Sequence, residues 1–272
     1  MCRMLAYVGK PVTLHRAVLE PRHSLEVQSY QPGEMLSGTV NVDGFGCGWY
    51  NHEITSEPGV YVGLSTLWSD YSFQSISRIV DSGLIFSAVR GATAPSPVDL
   101  QSVQPFQRDR YLFMHNGKIG DFHEKVKRQL YDLLVDDLFA DLKSASDSAV
   151  MFALLYNKLR QHYPSLGNME RYLTELLGLI TKLSGEAGVP CQLNIGLTDG
   201  NEIVFSRYSN EDESNSLYYL QDGEAFPDAV VVASERLDDD PNWKPVPHNH
   251  LFSINTQRDV RLDPVSIESN LS

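Results

Sequence analysis

The 272-residue sequence predicts an α+β fold in which helices cover the outer faces of two sheets. Two observations support this fold class. The chain runs from short apolar segments separated by turns, through apolar residues at helical spacing, back to short apolar segments. Hydrophobic residues also make up 42% of the chain, which is enough for a substantial core. Strand-rich segments on both sides of a helical one favour two sheets with helices packed outside them.

Five strands and one short helix are predicted in the first part of the chain, from apolar runs bounded by glycine and polar turn residues. The helix is expected over residues 72–80. A loop that contains three prolines separates the last two strands. The strands are expected over residues 3–9, 44–50, 60–64, 84–90 and 111–115.

Three helices and then five more strands are predicted in the rest of the chain. One helix is expected over residues 122–142 and another after Ser146 and Asp147. The longest helix is predicted from apolar residues on one face, namely Met169, Tyr172, Leu173, Leu176, Leu177, Ile180 and Leu183. The later strands are expected over residues 192–197, 203–208, 217–220, 229–233 and 251–254.

The charge of the chain argues against two classes of partner. It has 22 Lys and Arg against 35 Asp and Glu, a formal net charge of −13, and no basic cluster. We therefore expect no binding to nucleic acid or to an anionic membrane. The first residues contain too short an apolar stretch for a signal peptide, and no segment has the roughly 18 apolar residues of a spanning helix. We expect a cytoplasmic protein.

The three cysteines, Cys2, Cys47 and Cys191, are far apart and form no CxxC pair. This spacing disfavours a disulfide framework and a thiolate zinc site. Cys47 and Cys191 lie in apolar strand segments and are expected to be ordinary buried thiols. His248 and His250 lie in a predicted loop without a matching cluster of metal ligands, so we expect no metal and no cofactor.

Cys2 is the candidate nucleophile. Removal of Met1 is expected because the second side chain is small, and it leaves a thiol and a free α-amine on one residue. The amine, with a pKa of about 7.7–8.0, can act as general base for its own thiol, with a pKa of about 8.5. An incidental cysteine at position 2 is the alternative, so the interpretation depends on other residues.

Asn116 and Gly117 follow the predicted strand 111–115 and allow two interpretations. An Asn-Gly pair is a strong signal for a hairpin turn. It can also form an oxyanion hole, in which the Asn116 amide and the Gly117 backbone N–H face a developing negative charge. Glycine permits the unusual backbone angle and close approach that such a donor needs.

Arg90 and Asp147 are candidates for binding a charged substrate. Arg90 ends a predicted strand, where its guanidinium can hold a carboxylate in a bidentate manner, although a surface ion pair is the alternative. Asp147 lies between two serines before a predicted helix. It can serve as an N-cap or first-turn residue, or it can pair with a substrate ammonium group.

The chain resembles the class II glutamine amidotransferase family in the identity and order of several segments. These segments are MCR at 1–3, DGFG at 43–46, VRGAT at 89–93, HNG at 115–117, SDS at 146–148 and LTDG at 197–200. The resemblance covers nearly the whole chain, which implies a single domain of this type over residues 2–272. It also implies an N-terminal nucleophile hydrolase fold of four layers, α, β, β and α, with two mainly antiparallel sheets.

The same resemblance implies roles for the candidate residues. Cys2 is expected to be the nucleophile that forms a thioester, and Asn116 and Gly117 are expected to form the oxyanion hole. Arg90 and Asp147 are expected to hold the carboxylate and the amine of a glutamyl group. These roles imply an enzyme that hydrolyses a γ-glutamyl amide bond in a small molecule.

Three segments, at 19–30, 40–46 and 67–73, resemble the hydrolases of ergothioneine biosynthesis. Those enzymes cleave γ-glutamyl-hercynylcysteine sulfoxide to glutamate and hercynylcysteine sulfoxide. Segments 113–117 and 232–235 are equally similar to the amidotransferase-like subunit of a glutathione-degrading complex. A glutaminase subunit of a synthase and a catalytically silent partner-binding module are further alternatives. A homo-oligomer and a peptidase or synthase partner therefore stay open.

The leaving-group side of the site is expected to be open. Many glutamine-specific relatives have a bulky aromatic residue after the arginine and a histidine after the threonine, where this chain has Gly91 and Ala94. The trimethylammonium group of a hercynyl substrate suits an aromatic face and a carboxylate. The residues expected to bind substrate here, in addition to Arg90 and Asp147, are Thr93, Trp68, Asp70 and Tyr71.

Overall fold

In the computed structural model, which describes residues 2–34, 40–92, 98–161, 168–255 and 257–267, the chain forms two stacked sheets. The strands of the described residues are β1 (Arg3–Thr13), β2 (Phe45–Trp49), β3 (Gly59–Gly63), β4 (Asp81–Val89), β5 (Phe106–Arg108), β6 (Tyr111–Ile119), β7 (Cys191–Thr198), β8 (Ile203–Arg207), β9 (Tyr218–Gln221), β10 (Ala229–Ala233), β11 (Lys244–Pro245), β12 (His250–Ile254) and β13 (Val260–Pro264). The first sheet has the order β11-β9-β10-β1-β4-β2-β3 and the second β13-β12-β8-β7-β6-β5. The paired strands in both sheets are antiparallel.

The helices lie in two groups along the chain. Before β4 come α1 (Leu14–Val18), α2 (Leu25–Tyr30) and α3 (Tyr71–Ser77), and between β6 and β7 come α4 (Lys127–Tyr131), α5 (Asp136–Ala140), α6 (Asp147–Leu159) and α7 (Asn168–Ala187). A π-helical turn over Phe122–Val126 leads into α4, and short 3₁₀ turns occur at Leu67–Ser69 and Leu100–Ser102. None of the helices in the described ranges is long and apolar enough to cross a membrane.

Side chains along each strand point alternately to the two faces of its sheet, and this alternation separates the cores of the fold. In β1, Met4 and Ala6 belong to a core between the two sheets, whereas Leu5 and Tyr7 belong to a core that also contains α1 and α3 residues. Successive strand residues point to opposite faces, so one strand contributes to both cores. The second sheet packs its other face against α6 and α7. The layers are therefore α, β, β, α, which confirms the predicted fold class.

Several predicted elements need correction. β6 continues through Asn116 and Gly117 to Ile119 and pairs with β7 over this length, so the hairpin-turn interpretation is wrong. The single helix predicted over 122–142 is also wrong, because the chain is extended at Val135 and a new helix starts at Asp136. Leu133, Leu134 and Val135 are consecutive apolar residues that one helix cannot all direct to the core. The sequence patterns also missed α1, α2, β5, β11 and β13.

Candidate active site

A cavity of about 530 Å³ is lined by residues from both sheets and from the start of α6. Cys2, Arg90, Gly117 and Asp147 all contribute to its wall. These residues are far apart in sequence, and the cavity brings together four of the predicted site residues.

Cys2 and Arg90 are brought together by the pairing of β1 with β4. Arg3 lies opposite Val89, so the residue before β1 and the residue after β4 are neighbours at one end of the sheet. Met4 and Ala88 belong to the core between the sheets. Alternation therefore directs the side chains of Cys2 and Arg90 toward the second sheet as well.

The turn before β2 holds the backbone around Arg90. The Arg90 N–H donates to Gly44 O (2.8 Å), the Asp43 N–H donates to Arg90 O (3.0 Å), and the Ala92 N–H donates to Asp43 Oδ2 (2.7 Å). Gly44 has φ of +114°, and a Cβ there would lie 2.7 Å from Gly63 O. Only glycine fits this conformation and close approach. The DGFG segment thus positions a candidate substrate-binding arginine.

The backbone of Gly117 faces the cavity along an open edge of β6. The His115 N–H donates to Gln104 Oε1 (2.6 Å), and the Ile119 N–H donates to Asp147 Oδ2 (3.1 Å), both on the side away from β7. Alternate residues of an antiparallel strand direct their N–H groups to the same side. The Gly117 N–H, between these two, therefore points past the end of β5 toward the cavity. This is the position that an oxyanion donor needs.

Gly117 is required by close packing and not by an unusual backbone angle. A Cβ at this position would lie 1.8 Å from Gln192 O and 2.6 Å from the His115 ring. The glycines with positive φ in the described residues are Gly44, Gly188 and Gly200, so the expected unusual angle at Gly117 is wrong and the expected close approach is confirmed.

The Asn116 side chain is fully buried, yet neither of its amide atoms has a hydrogen-bond partner among the described residues. Met114, two residues earlier, belongs to the core between the sheets, so the Asn116 amide faces that space too. A buried amide without partners costs free energy of about 1–3 kcal/mol. Retention of such a group is explained if substrate supplies the missing partner. The catalytic role of Asn116 and Gly117 stays a prediction.

Asp147 is the first residue of α6, and Ser146 is the N-cap, its hydroxyl accepting the Ala149 N–H. The Asp147 carboxylate accepts the Ile119 N–H (3.1 Å) and the Ser148 N–H (2.7 Å). The N-cap interpretation of Asp147 is therefore wrong, and the first-turn interpretation is correct. These bonds hold a carboxylate beside the Gly117 edge, where it can receive a cation.

Two side chains without a predicted role support Asp147. The Ser148 hydroxyl lies 3.1 Å from Asp147 Oδ1 and 2.8 Å from His115 Nδ1. The opposite nitrogen of His115 lies 3.0 Å from Gln192 O, which can only accept, so that nitrogen carries a hydrogen. The sequence signals for these two residues were a polar histidine, His115, within an apolar strand and a serine, Ser148, directly after Asp147.

We expect Asp147→Asn to raise KM for a γ-glutamyl substrate by about tenfold or more, because a charge-assisted hydrogen bond to the substrate ammonium is lost. The turnover number kcat should change much less. Steady-state kinetics on purified protein measure both. Asp136→Asn is a matched control because Asp136 also begins a helix but lies outside the cavity wall. A lower melting temperature with an unchanged KM would mean that Asp147 serves α6 alone.

A buried ion pair anchors the start of β1. Arg3 is fully buried, its Nε donates to Glu235 Oε1 (2.8 Å) and its Nη1 donates to the carbonyl oxygen of Cys2 (3.0 Å). Glu235 also accepts hydrogen bonds from His23 and from the Gly33 N–H, each at 2.7 Å. Burial raises the pKa of Glu235, but these bonds and Arg3 outweigh burial and lower this pKa to about 2. The residue that carries the candidate nucleophile is thereby held in place.

The other two cysteines differ from Cys2. Cys47 and Cys191 are fully buried, which confirms the sequence prediction, whereas Cys2 is partly exposed. Burial raises the pKa of Cys47 to about 12 and also raises the pKa of Cys191. Both thiols are therefore protonated and shielded near neutral pH.

The remaining predicted substrate-binding residues do not form the cavity wall in the described residues. Asp70 caps α3, and its carboxylate accepts hydrogen bonds from Tyr61, Ser65 and the Phe73 N–H. Trp68 packs edge-on against Tyr30, and Tyr71 is 82% exposed. Asp70, which looked like a ligand carboxylate in the sequence, thus has structural partners. Thr93 and Ala94 lie outside the described residues.

Within the described residues, no group of three or more His, Cys, Asp and Glu side chains is arranged to hold a metal ion. His248 instead lies 2.9 Å from the Ser214 hydroxyl, and His250 Nδ1 lies 2.9 Å from His248 O.

Known proteins resemble this chain in sequence and in fold. The family model described as glutamine amidotransferases class-II matches residues 17–266. The chain is 30% identical, over 93% of its length and 96% of the relative, to a γ-glutamyl-hercynylcysteine sulfoxide hydrolase of Mycolicibacterium smegmatis. It is 28% identical to a probable glutamine amidotransferase of Saccharomyces cerevisiae, over 97% of this chain and 84% of the relative. A solved class-II glutamine aminotransferase domain protein from Silicibacter pomeroyi shares the fold, with a TM-score of 0.71, 24% identity and coverage of 97% and 100%.

Proposed function

Because the chain belongs to the class II glutamine amidotransferase family, we propose that it hydrolyses γ-glutamyl amide bonds through a thioester on Cys2. The observation that carries this proposal is that one cavity contains Cys2, Arg90, Gly117 and Asp147. A thiol, a cation, an open backbone N–H and a carboxylate match the reacting carbonyl and the two charged groups of a γ-glutamyl substrate. In this proposal the mature enzyme begins at Cys2 and the described residues form one domain.

The first half of the reaction forms the thioester. Arg90 holds the glutamyl carboxylate and Asp147 holds the glutamyl ammonium group. The free α-amine of Cys2 takes the proton of its own thiol, and the thiolate sulfur bonds to the γ-carbonyl carbon. The carbonyl oxygen becomes negative and receives hydrogen bonds from the Gly117 N–H and the Asn116 amide. The C–N bond then breaks, and the leaving amine takes the proton from the α-ammonium of Cys2.

The second half releases glutamate. The neutral α-amine of Cys2 accepts a proton from water as the water oxygen bonds to the thioester carbon. The same donors stabilise the second oxyanion, and the C–S bond breaks as the thiolate regains the proton. Atoms balance as one amide and one water giving one amine and one carboxylic acid.

The substrate that we propose is γ-glutamyl-hercynylcysteine sulfoxide. The relative with that activity in its name aligns with nearly the whole chain. The cavity wall also contains the acidic residues Asp121 and Glu124 and the aromatic residue Phe122. Carboxylates and an aromatic ring suit the trimethylammonium group of the hercynyl moiety. In this proposal they replace Trp68 and Tyr71 as the residues that contact the leaving group.

We expect kcat/KM for γ-glutamyl-hercynylcysteine sulfoxide to exceed that for glutathione and for glutamine by about tenfold or more, because only the first places a cation beside these groups. Release of glutamate by the purified enzyme measures all three. Glu124→Gln should reduce the preference, whereas Glu57→Gln, in an exposed turn, should not.

Each other outcome changes the assignment. A preference for glutathione would place the enzyme in glutathione degradation, and a preference for glutamine would make it a glutaminase subunit. No release of glutamate from any of the three would reject the proposed hydrolysis.

A further inference from the structure

Lys118 is a cation in the cavity wall for which the proposed reaction has no use. It directly follows Gly117, the proposed oxyanion donor. Its ammonium group has no hydrogen bond and no ion pair with any of the residues that the structure describes. An ammonium group in a cavity wall, without a protein partner, can bind an anionic group of the substrate.

The direction of the Lys118 side chain follows from alternation along β6. Leu112 and Met114 belong to the core between the sheets, whereas Phe113 and Ile119 belong to the core beneath α6 and α7. Lys118 therefore projects into the space between the sheets, on the same side as Asn116. Cys2 faces this space from the other sheet, so Lys118 and the proposed nucleophile line the same cavity.

The acidic residues of the wall do not neutralise Lys118. Asp121 forms its ion pair with Lys125, at 3.0 Å, and Glu124 is exposed to solvent. Asp147, the third acidic residue of the wall, accepts two backbone N–H groups and in the proposed reaction pairs with the glutamyl ammonium group. The cavity thus presents two cations, Arg90 and Lys118, on the side between the sheets. A glutamyl group has a single carboxylate, and in the proposed reaction Arg90 holds it. The second cation points to a second anion, on the leaving group.

We propose that Lys118 binds a carboxylate carried by the leaving amine on the carbon next to the scissile nitrogen. The substrates are then γ-glutamyl derivatives of α-amino acids whose own carboxylate is free. In the proposed reaction the γ-carbonyl oxygen of the substrate contacts the Gly117 N–H. Because the Cα atoms of Gly117 and Lys118 are about 3.8 Å apart, the Lys118 side chain can reach a carboxylate two bonds beyond the scissile nitrogen. This inference rests on the proposed hydrolysis and adds the substrate feature that the enzyme selects. Glutamine lacks this carboxylate, and in glutathione it is an uncharged amide.

The test uses two substrates that differ by one charge, γ-glutamyl-S-methylcysteine and its α-carboxamide. The wild-type enzyme should show a kcat/KM about tenfold or more higher for the carboxylate, as expected for a charge-assisted hydrogen bond. Lys118→Met should lose this preference by slowing cleavage of the carboxylate only, and Lys118→Arg should retain most of it. Lys125→Met is the control, since Lys125 is a nearby cation outside the cavity wall.

The carboxamide serves as an internal measure of folding, because Lys118→Met should cleave it as fast as the wild type does. Equal wild-type rates for the two substrates, or a preference that survives Lys118→Met, would refute the role of Lys118 while the hydrolysis stands. An equal rise in KM for both substrates would also refute it, because Lys118 would then hold the glutamyl carboxylate. No cleavage of either compound by the wild type would reject the hydrolysis itself.

Discussion

Cys2→Ser should lower kcat on the order of 10³-fold or more, because a serine hydroxyl is a far weaker acid than a thiol and the α-amine cannot deprotonate it appreciably near neutral pH. Binding of the γ-glutamyl group should persist, since Arg90 and Asp147 are unchanged. Steady-state kinetics and calorimetric titration with substrate measure the two effects. A kcat for Cys2→Ser equal to that of the wild type would show that Cys2 is not the nucleophile.

Cys47→Ala is the matched control, because Cys47 is buried away from the cavity wall and its raised pKa keeps the thiol protonated. It should retain activity. A thiol-alkylating reagent should modify the folded wild type once, at Cys2, and should not modify Cys2→Ser. Intact mass should also show that Met1 is absent, since a retained Met1 would convert the general-base amine into an amide. Full activity in protein that retains Met1 would contradict the proposed mechanism.

The sequence predicted two sheets with helices outside them because apolar strand segments lie on both sides of a helical segment. The division of each strand between two cores appears only in the structure. β10, for example, has Val230 and Val232 in the core between the sheets and Val231 in the core beneath the short helices. Two of the strands that prediction missed, β5 and β11, are three and two residues long. Such segments are too short to display a period, and their pairing depends on neighbouring strands that are distant in sequence.

Some residues of the candidate site were predicted from the sequence and others were not, because the contacts of a side chain depend on residues that are distant in sequence. Residue types with distinctive chemistry, such as Cys2 and Arg90, are visible in a sequence, and the cavity brings them together. Asp70 looked equally suitable, but its carboxylate caps α3 through the Phe73 N–H. It also accepts hydrogen bonds from Tyr61 and Ser65, which the fold places around it. Lys118 was overlooked because a lysine is usually a solvated surface residue. Its significance comes from the continuation of β6 past Asn116.

Asn116→Ala should lower kcat by about 10²–10³-fold with a much smaller change in KM, as expected for a donor that acts mainly in the transition state. The structure adds a second expectation, for stability. Asn116 is buried and its amide atoms have no partner among the described residues, so the substitution removes no hydrogen bond. The melting temperature should be unchanged or higher, because the desolvation cost of an unpaired amide disappears.

Asn194→Ala provides the matched comparison for this prediction. Asn194 lies opposite Asn116 in the β6–β7 pairing and is equally buried, but its amide donates to Asn215 O at 2.9 Å. We expect this variant to lose stability while kcat stays within a few-fold, the reverse of Asn116→Ala. Kinetics and thermal unfolding of the two variants together separate catalysis from packing. A large loss of stability in Asn116→Ala, with kcat unchanged, would show that Asn116 serves the fold and that the oxyanion is stabilised by other groups.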